Sequence, residues 1–247
     1  MIVNNDDQVL SEVVVALHQL RPDIKIQTFG QGEENTVQVL DYRAETGKTL
    51  SRFQYQGQTF ELELQVPGKF NVANAVAAVL AVQAVGISVS DSLGALKHFQ
   101  STRRRVEKIG EKHGVVYYDD YAHHPHEIQQ VIQAFREWYP ASKLVIAFQS
   151  HTFSRTKALF NDFVSAFAQA SEVLMIDIFP SAREAFDASV SSTSLCEAIH
   201  DRFPRIPAEN LKTREALAEQ LKSTLQSGDV CVTIGAGDIY LVHDLIS

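Results

Sequence analysis

The chain has 247 residues, of which 45% are hydrophobic and 21% charged, and its formal net charge is −8 at pH 7. This length and composition are typical of a globular protein with one large domain or two small ones. The negative charge argues against general binding to nucleic acid or anionic lipid, and no apolar run approaches membrane length. The sequence has no signal-peptide pattern, and the two cysteines, Cys196 and Cys231, lack metal-ligand spacing. We therefore expect reduced thiols in a cytoplasmic protein.

Residues 1–103 mix helical and strand patterns. Apolar spacing predicts a helix in VLSEVVVALHQL and a short strand in IKIQTFG. Two alternating runs on either side of Gly57, SRFQYQ and TFELELQVPG, predict an antiparallel hairpin with Leu62 and Leu64 on its apolar face. NVANAVAAVLAVQAVG predicts a helix of small residues, and SVSDSLGALKHF predicts a further helix capped by Ser90 or Asp91.

The pattern changes from about Arg104. Apolar runs, GVVYYDDY, KLVIAFQS, EVLMIDIF and DVCVTIGAG, now alternate with helical segments, HEIQQVIQAFREWY, TKALFNDFVSAFAQA, SSTSLCEAIHDRF and TREALAEQLKSTLQSG. This alternation predicts a parallel α/β sheet with helices on both faces. Ligands of such sheets bind beyond the carboxyl ends of the strands. The polar segments that follow these strands, DDYAHHP, QSHTFSRT, IFPSARE and GAGDIY, therefore predict a shared ligand site.

The segment DDYAHHPHEI contains two aspartates and three histidines. Neighbouring residues of a strand face opposite sides, so we expect only one aspartate, Asp120, to face a ligand, with helix capping as the alternative for an aspartate here. The histidines His123, His124 and His126 lack a nearby cysteine and an HExxH pair, which disfavours a zinc site. One histidine that contacts an anionic group is favoured, and an imidazole that caps the backbone is the alternative.

QSHTFSRT places His151, Ser154 and Arg155 between a strand and the start of a helix, where free N–H groups favour anions. Arg155 can bind a carboxylate or phosphate with two parallel hydrogen bonds, and the alternative is a surface arginine. Arginines 103–105 are either a solvated basic run or nucleotide ligands. GAGDIY lacks the full GxGxxG pattern, which argues against an NAD-binding protein, and no GxxxxGK[ST] loop occurs.

These segments together resemble the ATP-dependent Mur ligases. DDYAHHPHEI resembles the family's DDYGHHPxEI, FQSHTFSRT its FQPHxxSRT, and VPGKFNVANAVAAVLAV its PGxHNxxNAxAA segment. RRRVEKIG, IFPSARE and GAGDI match further family segments in the same order. The resemblance implies an α/β fold in which residues 1–103 are the second half of the central ATP-binding domain, hence an incomplete one. Residues 104–247 are then a Rossmann-like C-terminal ligase domain with a parallel sheet.

The best-matching member implies ligation of L-alanine to UDP-N-acetylmuramate in peptidoglycan synthesis. ATP phosphorylates the lactyl carboxylate, and the alanine amine displaces the phosphate. The implied cofactors are ATP and Mg²⁺, which the family holds mainly through a part of the central domain that this sequence does not match. We therefore expect a fragment that is inactive alone and that self-associates through exposed apolar surface. Phe70, Ala122 and Ser150 depart from the family's usual histidine, glycine and proline.

The resemblance assigns binding roles by matching position, and it assigns no catalytic or metal-ligating residue to this chain. The implied substrate-binding residues are Tyr121, His123, His151 and Arg155. The implied ATP-binding residues are Asn71, Asn74, Arg104, Arg105 and Asp120. Two alternatives stay open. Ala122 favours the murein-recycling member that attaches a tripeptide to the same nucleotide sugar, and the missing P-loop favours a noncatalytic nucleotide- or substrate-binding module.

Overall fold

The computed structural model describes residues 1–182 and 184–246, and the chain divides into two compact units, residues 1–100 and 101–247. The functional boundary expected after residue 103 stays a prediction. Arg183 of the IFPSARE segment and Ser247 of the predicted C-terminal domain lie outside the described residues.

The first unit contains a mixed sheet in the order β1-β2-β3-β4-β5. The first three strands run parallel, and β3, β4 and β5 are antiparallel neighbours. The helix α2 packs its buried face into the core of this sheet. The strands are β1 (Ile2–Asn4), β2 (Gln27–Gly30), β3 (Val37–Glu45), β4 (Lys48–Tyr55) and β5 (Gln58–Leu64), and the helices are α1 (Gln8–Leu20), α2 (Lys69–Gln83) and α3 (Val89–Leu96).

The predicted hairpin is confirmed as β4 and β5. Its turn residues Gln56 and Gly57 both have positive φ, 50° and 77°, which matches the twist of a two-residue hairpin turn. Leu62 and Leu64 are buried in the core, as their alternation predicted. The strand β3 was not predicted, because a bulge between Val39 and Asp41 breaks its period of two and most of its side chains are partly or fully exposed.

The predicted cap of α3 is wrong. The helix is capped by Ser88, whose hydroxyl oxygen accepts the backbone N–H of Asp91 at 3.1 Å. Ser88 has extended backbone angles, as a cap requires, whereas Ser90 and Asp91 already lie inside the first turn.

The second unit contains a sheet in the order β10-β9-β8-β11-β7-β6, parallel except for the antiparallel pair of β6 and β7. The strands are β6 (Glu107–Lys112), β7 (Val115–Asp120), β8 (Leu144–Phe148), β9 (Glu172–Met175), β10 (Ala208–Asn210) and β11 (Val230–Ile234). The helices are α4 (Pro125–Trp138), α5 (Phe153–Ala158), α6 (Phe160–Ala166), α7 (Ser192–Arg202), α8 (Arg214–Thr224) and α9 (Val242–Ile246), with a 3-10 turn at Ile239–Leu241.

Every residue of β8 and β11 is buried, which confirms the predicted α/β class with a parallel sheet covered on both faces. The single helix predicted from TKALFNDFVSAFAQA is instead divided into α5 and α6, because Leu159 leaves the helical region with φ −113° and ψ 25°. Among the residues that the structure describes, no helix has both the length and the apolar character needed to cross a membrane.

Candidate functional site

The carboxyl ends of three neighbouring strands are joined by main-chain hydrogen bonds. The N–H of Gly235, after β11, donates to the carbonyl of Asp120 at the end of β7 at 3.0 Å. The N–H of Gln149, after β8, donates to the carbonyl of Ile234 at 3.0 Å. The polar segments that follow these strands therefore share one edge of the sheet, as the strand-end rule predicted.

The glycine-rich segment after β11 packs against Gln149. The side-chain Oε1 of Gln149 accepts the N–H of Ile239 at 3.0 Å, and its Nε2 donates to Asp238 Oδ1 at 3.0 Å. A Cβ atom at Gly237 would lie 2.3 Å from Gln149 Oε1, so this glycine makes room for the glutamine. The segment therefore supports the site by packing closely against Gln149. This glutamine was not predicted as a site residue from the sequence.

The structure brings together the residues to which the family resemblance gave substrate-binding roles. The rings of Tyr121 and His123 meet edge-on with centroids 5.4 Å apart. Arg155 Nη1 donates to the backbone carbonyl of His151 at 3.3 Å. Burial, and then the positive charges of Arg155 and His123, lower the pKa of His151 below its ordinary value. An imidazole with a lowered pKa is mostly uncharged near neutral pH.

An anion does lie at the start of α5, but it comes from the chain itself. The carboxylate of Glu184 accepts the N–H of Phe153 at 2.8 Å and the N–H of Ser154 at 2.7 Å. A hydrogen bond from the Ser154 side chain is the largest cause that lowers the pKa of Glu184. Glu184 therefore satisfies two of the free N–H groups at the start of α5, and binding of a ligand anion by Arg155 stays a prediction.

Asp120 is 4% exposed and closes a loop at the end of β7. Its Oδ2 accepts the N–H of Val106 and its Oδ1 accepts the N–H of Ala122, both at 2.7 Å. Burial raises the pKa of Asp120 to about 6, against the opposing effects of these two backbone hydrogen bonds and of Arg105. The ATP contact expected of Asp120 stays a prediction, and its observed contacts hold Val106 and Ala122 in place.

His124 takes the capping role that was the alternative for these histidines. It is the N-cap of α4, and its Nδ1 accepts the N–H of His126 at 3.4 Å. Glu127 completes a capping box, because its Oε2 accepts the N–H groups of His123 and His124 at 3.1 and 3.2 Å. Across residues 1–182 and 184–246, no three His, Cys, Asp or Glu side chains gather in an arrangement that could hold a metal ion.

The neighbouring arginines Arg104 and Arg105 have different surroundings. The Arg104 guanidinium bonds Asp119 and the Gly235 carbonyl, and it is 18% exposed. Arg105 is exposed, and its guanidinium lies 5.4 Å from the centre of the Tyr121 ring. Both line a cavity of about 390 Å³ whose lining residues are Arg103, Arg104, Arg105, Tyr121 and Tyr240. Tyr240, in the 3-10 turn, belongs to the predicted GAGDIY segment but was not itself predicted as a site residue.

Asn71 and Asn74 lie in the first turns of α2 in the first unit. The Asn71 side-chain amide donates to the Pro67 carbonyl at 2.8 Å, and the cap position itself is Gly68, which offers no side-chain bond. Asn71 therefore lies inside the first turn and is not the cap of α2. Asn74 is exposed and its amide lies 3.5 Å from Asn71 Oδ1. Their role toward ATP stays a prediction.

Two arginines of the second unit are suited to binding a phosphate. Its two neighbouring aspartates are not suited to binding Mg²⁺. Arg103 and Arg105 present exposed guanidinium groups at the 390 Å³ cavity, which suits an anion. Asp119 and Asp120, in contrast, already bond protein N–H and O–H groups and are almost fully buried. A magnesium ion needs carboxylate oxygens that are free to coordinate it.

Comparisons with known proteins match both units. The sequence pattern described as "Mur ligase, glutamate ligase domain" matches residues 104–237, and that of the "Mur ligase middle domain" matches residues 1–82. The UDP-N-acetylmuramate–L-alanine ligase of Clostridium kluyveri is 39% identical over 221 residues, which cover 84% of this chain and 48% of the relative. The chain thus spans about half the length of the curated relatives it matches.

Solved structures agree on the fold. The UDP-N-acetylmuramate–alanine ligase of Thermotoga maritima superposes with a TM-score of 0.76 at 22% identity, and the match covers 99% of this chain and 50% of that one. The MurF ligase of the same organism, solved in complex with ADP, gives a TM-score of 0.71 at 18% identity over 99% of this chain and 52% of that one.

Proposed function

The chain belongs to the Mur ligase family, and we propose that it supplies the amino-acid-binding residues, and part of the ATP-binding residues, of an ATP-dependent ligase. The proposed ligase joins L-alanine to UDP-N-acetylmuramate in peptidoglycan synthesis, the reaction named for the relative from Clostridium kluyveri. We also propose that this ligase works in the cytoplasm, the location expected from the sequence.

The observation that carries this proposal is the line of polar groups at one sheet edge, formed by Tyr121, His123, His151 and Arg155. One N–H of the Arg155 guanidinium is used by the His151 carbonyl, and within residues 1–182 and 184–246 its other N–H groups have no hydrogen-bond partner, which leaves them for a carboxylate. The uncharged imidazole of His151 beside it does not repel the ammonium group of an amino acid. The group therefore suits a small zwitterion such as alanine.

Arg105 supports the ATP part of the proposal. It adds an exposed positive charge at the cavity beside Tyr121, and cations near the transferring phosphate stabilise its negative charge. ATP, when bound, supplies the phosphoryl group that activates the carboxylate. The residues of this chain then bind the amino acid, orient its amine and neutralise phosphate charge. Magnesium stays a cofactor expected from the family, without ligands among the described residues.

The alternative is the family member that adds a tripeptide, which Ala122 favours. Ala122 is 1% exposed and its N–H bonds Asp120, so it acts on the backbone of the loop rather than by touching a ligand. We therefore keep alanine as the favoured amino-acid substrate. ADP release by a complete ligase that contains these residues, measured with L-alanine and with the tripeptide, tests the choice.

Release of ADP with alanine alone supports the proposal, and release with the tripeptide alone replaces it. No release with either would favour the noncatalytic binding module. The 247-residue chain by itself is expected to be inactive, because its sequence contains no P-loop to hold the β- and γ-phosphates. Alanine-dependent ADP formation by the purified chain would contradict that expectation.

A further inference from the structure

The Arg104 guanidinium contacts a carboxylate, a backbone carbonyl and two tyrosine rings. Its Nε donates to Asp119 Oδ2 at 3.2 Å and its Nη2 donates to the Gly235 carbonyl at 2.6 Å. The guanidinium also lies over two rings, 4.2 Å from the centre of Tyr240 and 4.9 Å from that of Tyr121. A guanidinium held in this way cannot turn toward a ligand without losing an ion pair, a hydrogen bond and its ring contacts.

The partner of Arg104 is itself fixed by the sheet. Asp119 is 1% exposed, and its Oδ1 accepts the hydroxyl of Thr233 on β11 at 2.5 Å. The Nε2 atom of His243, on α9, lies 2.9 Å from the same hydroxyl oxygen. A chain of polar contacts therefore runs from α9 through β11 and β7 to Arg104.

The backbone turns sharply at Arg104 and sends the next side chain outward. Arg104 has φ +59° and Val106 φ +51°, a region that side chains other than glycine seldom adopt. The turn is held because the Arg104 N–H bonds Glu107 Oε2 at 2.7 Å and the Arg104 carbonyl accepts the N–H of Tyr121 at 2.8 Å. As a result Arg104 points into the sheet edge and Arg105 is exposed.

Of the neighbours Arg104 and Arg105, Arg105 is the one that remains available, and exposed Arg103 lines the same cavity. Within residues 1–182 and 184–246, the Arg105 guanidinium forms no hydrogen bond or ion pair, and its one ring contact is with Tyr121 at 5.4 Å. We propose that Arg104 and Tyr240 are positioning residues, which fix the turn and the Tyr121 ring, and that Arg105 alone of the two neighbours binds the phosphates of the nucleotide. The phosphate-binding role of Arg105 rests on the proposed function, whereas the positioning role of Arg104 and Tyr240 does not.

The positioning role is tested without any ligand, by NMR of arginine side chains in the 247-residue chain. We expect the Arg104 Nε–H to exchange slowly with water and the Arg104 δ protons to be shifted upfield by the tyrosine rings. Tyr240→Leu should abolish most of the upfield shift, whereas Tyr240→Phe should keep it, because the ring and not the hydroxyl makes the contact. Arg202, an exposed arginine over Phe203, is the internal control and should exchange fast.

The binding role is tested by titrating ATP into a complete ligase that contains these residues and carries the same substitutions, because this chain contains no P-loop to hold the β- and γ-phosphates. Arg105→Ala should weaken ATP binding on the order of ten- to a hundredfold, the effect of losing a charge-assisted hydrogen bond, while Arg104→Lys and Tyr240→Leu, which only misplace that bond, should weaken it roughly tenfold. Tyr240→Phe should bind like the unchanged chain. Movement of the Arg104 Nε–H signal on adding ATP, together with normal binding by Arg105→Ala, would overturn the assignment.

The NMR experiment and the ATP titration together distinguish failure of the positioning role from failure of the phosphate-binding role. Expected Arg104 signals together with ATP binding that Arg105→Ala leaves unchanged would reject the role of Arg105 and uphold the positioning role. Failure of the unsubstituted complete ligase to bind ATP would count against the proposed function. Binding of ATP by a chain whose Arg104 Nε–H exchanges as fast as that of Arg202 would reject the positioning role and leave the proposed function intact.

Discussion

Gly235 lies so close to Gln149 that any side chain at position 235 would collide with the backbone of β8's end. A Cβ atom built on Gly235 would stand 2.5 Å from the Gln149 carbonyl oxygen, and the residue has φ +151°. Two independent reasons therefore require glycine here, a backbone conformation unsuited to side chains and a lack of space. The ends of β8 and β11 therefore approach closely at the edge that carries the candidate site, where the Gln149 N–H donates to the Ile234 carbonyl.

Gly235→Ala is therefore expected to destabilise the second unit more than Gly110→Ala. Gly110 has a similar φ of +156° but nothing within 4 Å of its Cβ position, so it isolates the backbone strain. We expect about 1–3 kcal/mol from strain in both variants and a further loss on the order of 1–3 kcal/mol from the collision at position 235. Urea unfolding followed by the fluorescence of Trp138, the single tryptophan and buried in α4, measures both. Equal losses of unfolding free energy in the two variants would show that the collision at position 235 is relieved because the ends of β8 and β11 separate easily.

The elements of the fold were largely predictable from the sequence, because burial imposes a period on the side chains. The hairpin around Gly57 and the fully buried strands β8 and β11 follow this rule. The strand β3 was missed because its bulge changes the period, and the break at Leu159 was missed because the apolar spacing continues across it.

The location of the candidate site was also predictable, since polar segments follow the strand ends. Its internal contacts were not. Glu184 reaches the start of α5 from 30 residues away, and Arg104 bonds a carbonyl 131 residues away, and no local pattern encodes such pairs. The different surroundings of Arg104 and Arg105 depend on a turn with positive φ at non-glycine residues, which the sequence also does not announce.

Asp120 should make the second unit less stable as the pH rises from about 4 to 6. Its pKa is raised from 3.8 to about 6, so the folded state holds the proton more tightly than the unfolded state in this window. Stability then falls with rising pH, by about 3 kcal/mol over the window if this group acts alone. The difference in unfolding free energy between the unchanged chain and Asp120→Asn should fall by that order across the window, because asparagine does not ionise.

The control for this experiment is Asp201→Asn, at an exposed position on α7. It should leave the pH dependence of the unfolding free energy as in the unchanged chain, which removes effects of net charge. A difference between the unchanged chain and Asp120→Asn that stays constant from pH 4 to 6 would show that the Asp120 carboxyl titrates normally.

Glu184→Ala should loosen the start of α5. The carboxylate accepts the N–H groups of Phe153 and Ser154, which have no helical partner of their own, so their hydrogen exchange should accelerate when it is removed. The charge of Glu184 also raises the pKa of His151, and its loss should lower that pKa further. Amide exchange and histidine titration by NMR measure both effects. Glu197→Ala, on α7, is the control and should change neither.

The exposed apolar stripe of α1 should make the purified chain self-associate. Val9, Val13 and Leu20 lie on one face at helical spacing and are 68%, 48% and 77% exposed. Val13→Lys should weaken association in sedimentation equilibrium, whereas Val85→Lys, at a 77% exposed valine outside the stripe, should not. A strict monomer at high concentration would contradict the expectation.

Arg155→Lys should impair the use of alanine almost as strongly as Arg155→Ala in a complete ligase that contains these residues. The planar guanidinium can hold a carboxylate with two parallel hydrogen bonds while one N–H still bonds the His151 carbonyl, and lysine offers only a point charge. Loss of one such bond costs about 1.5–3 kcal/mol, so kcat/KM for alanine should fall on the order of ten- to a hundredfold. The KM for ATP should change far less.

Steady-state kinetics with alanine and ATP varied separately distinguishes this role from its rivals. If Arg155 bound phosphate instead, its variants would raise the KM for ATP, and if it were a bystander on α5, neither constant would change. Arg202→Lys, at an exposed arginine on α7, is the matched control and should leave both constants unaltered. Because the Glu184 carboxylate and not Arg155 satisfies the free N–H groups of α5, a loss specific to alanine could not be ascribed to fraying of that helix. An unchanged kcat/KM for alanine in both Arg155 variants would rule the carboxylate clamp out.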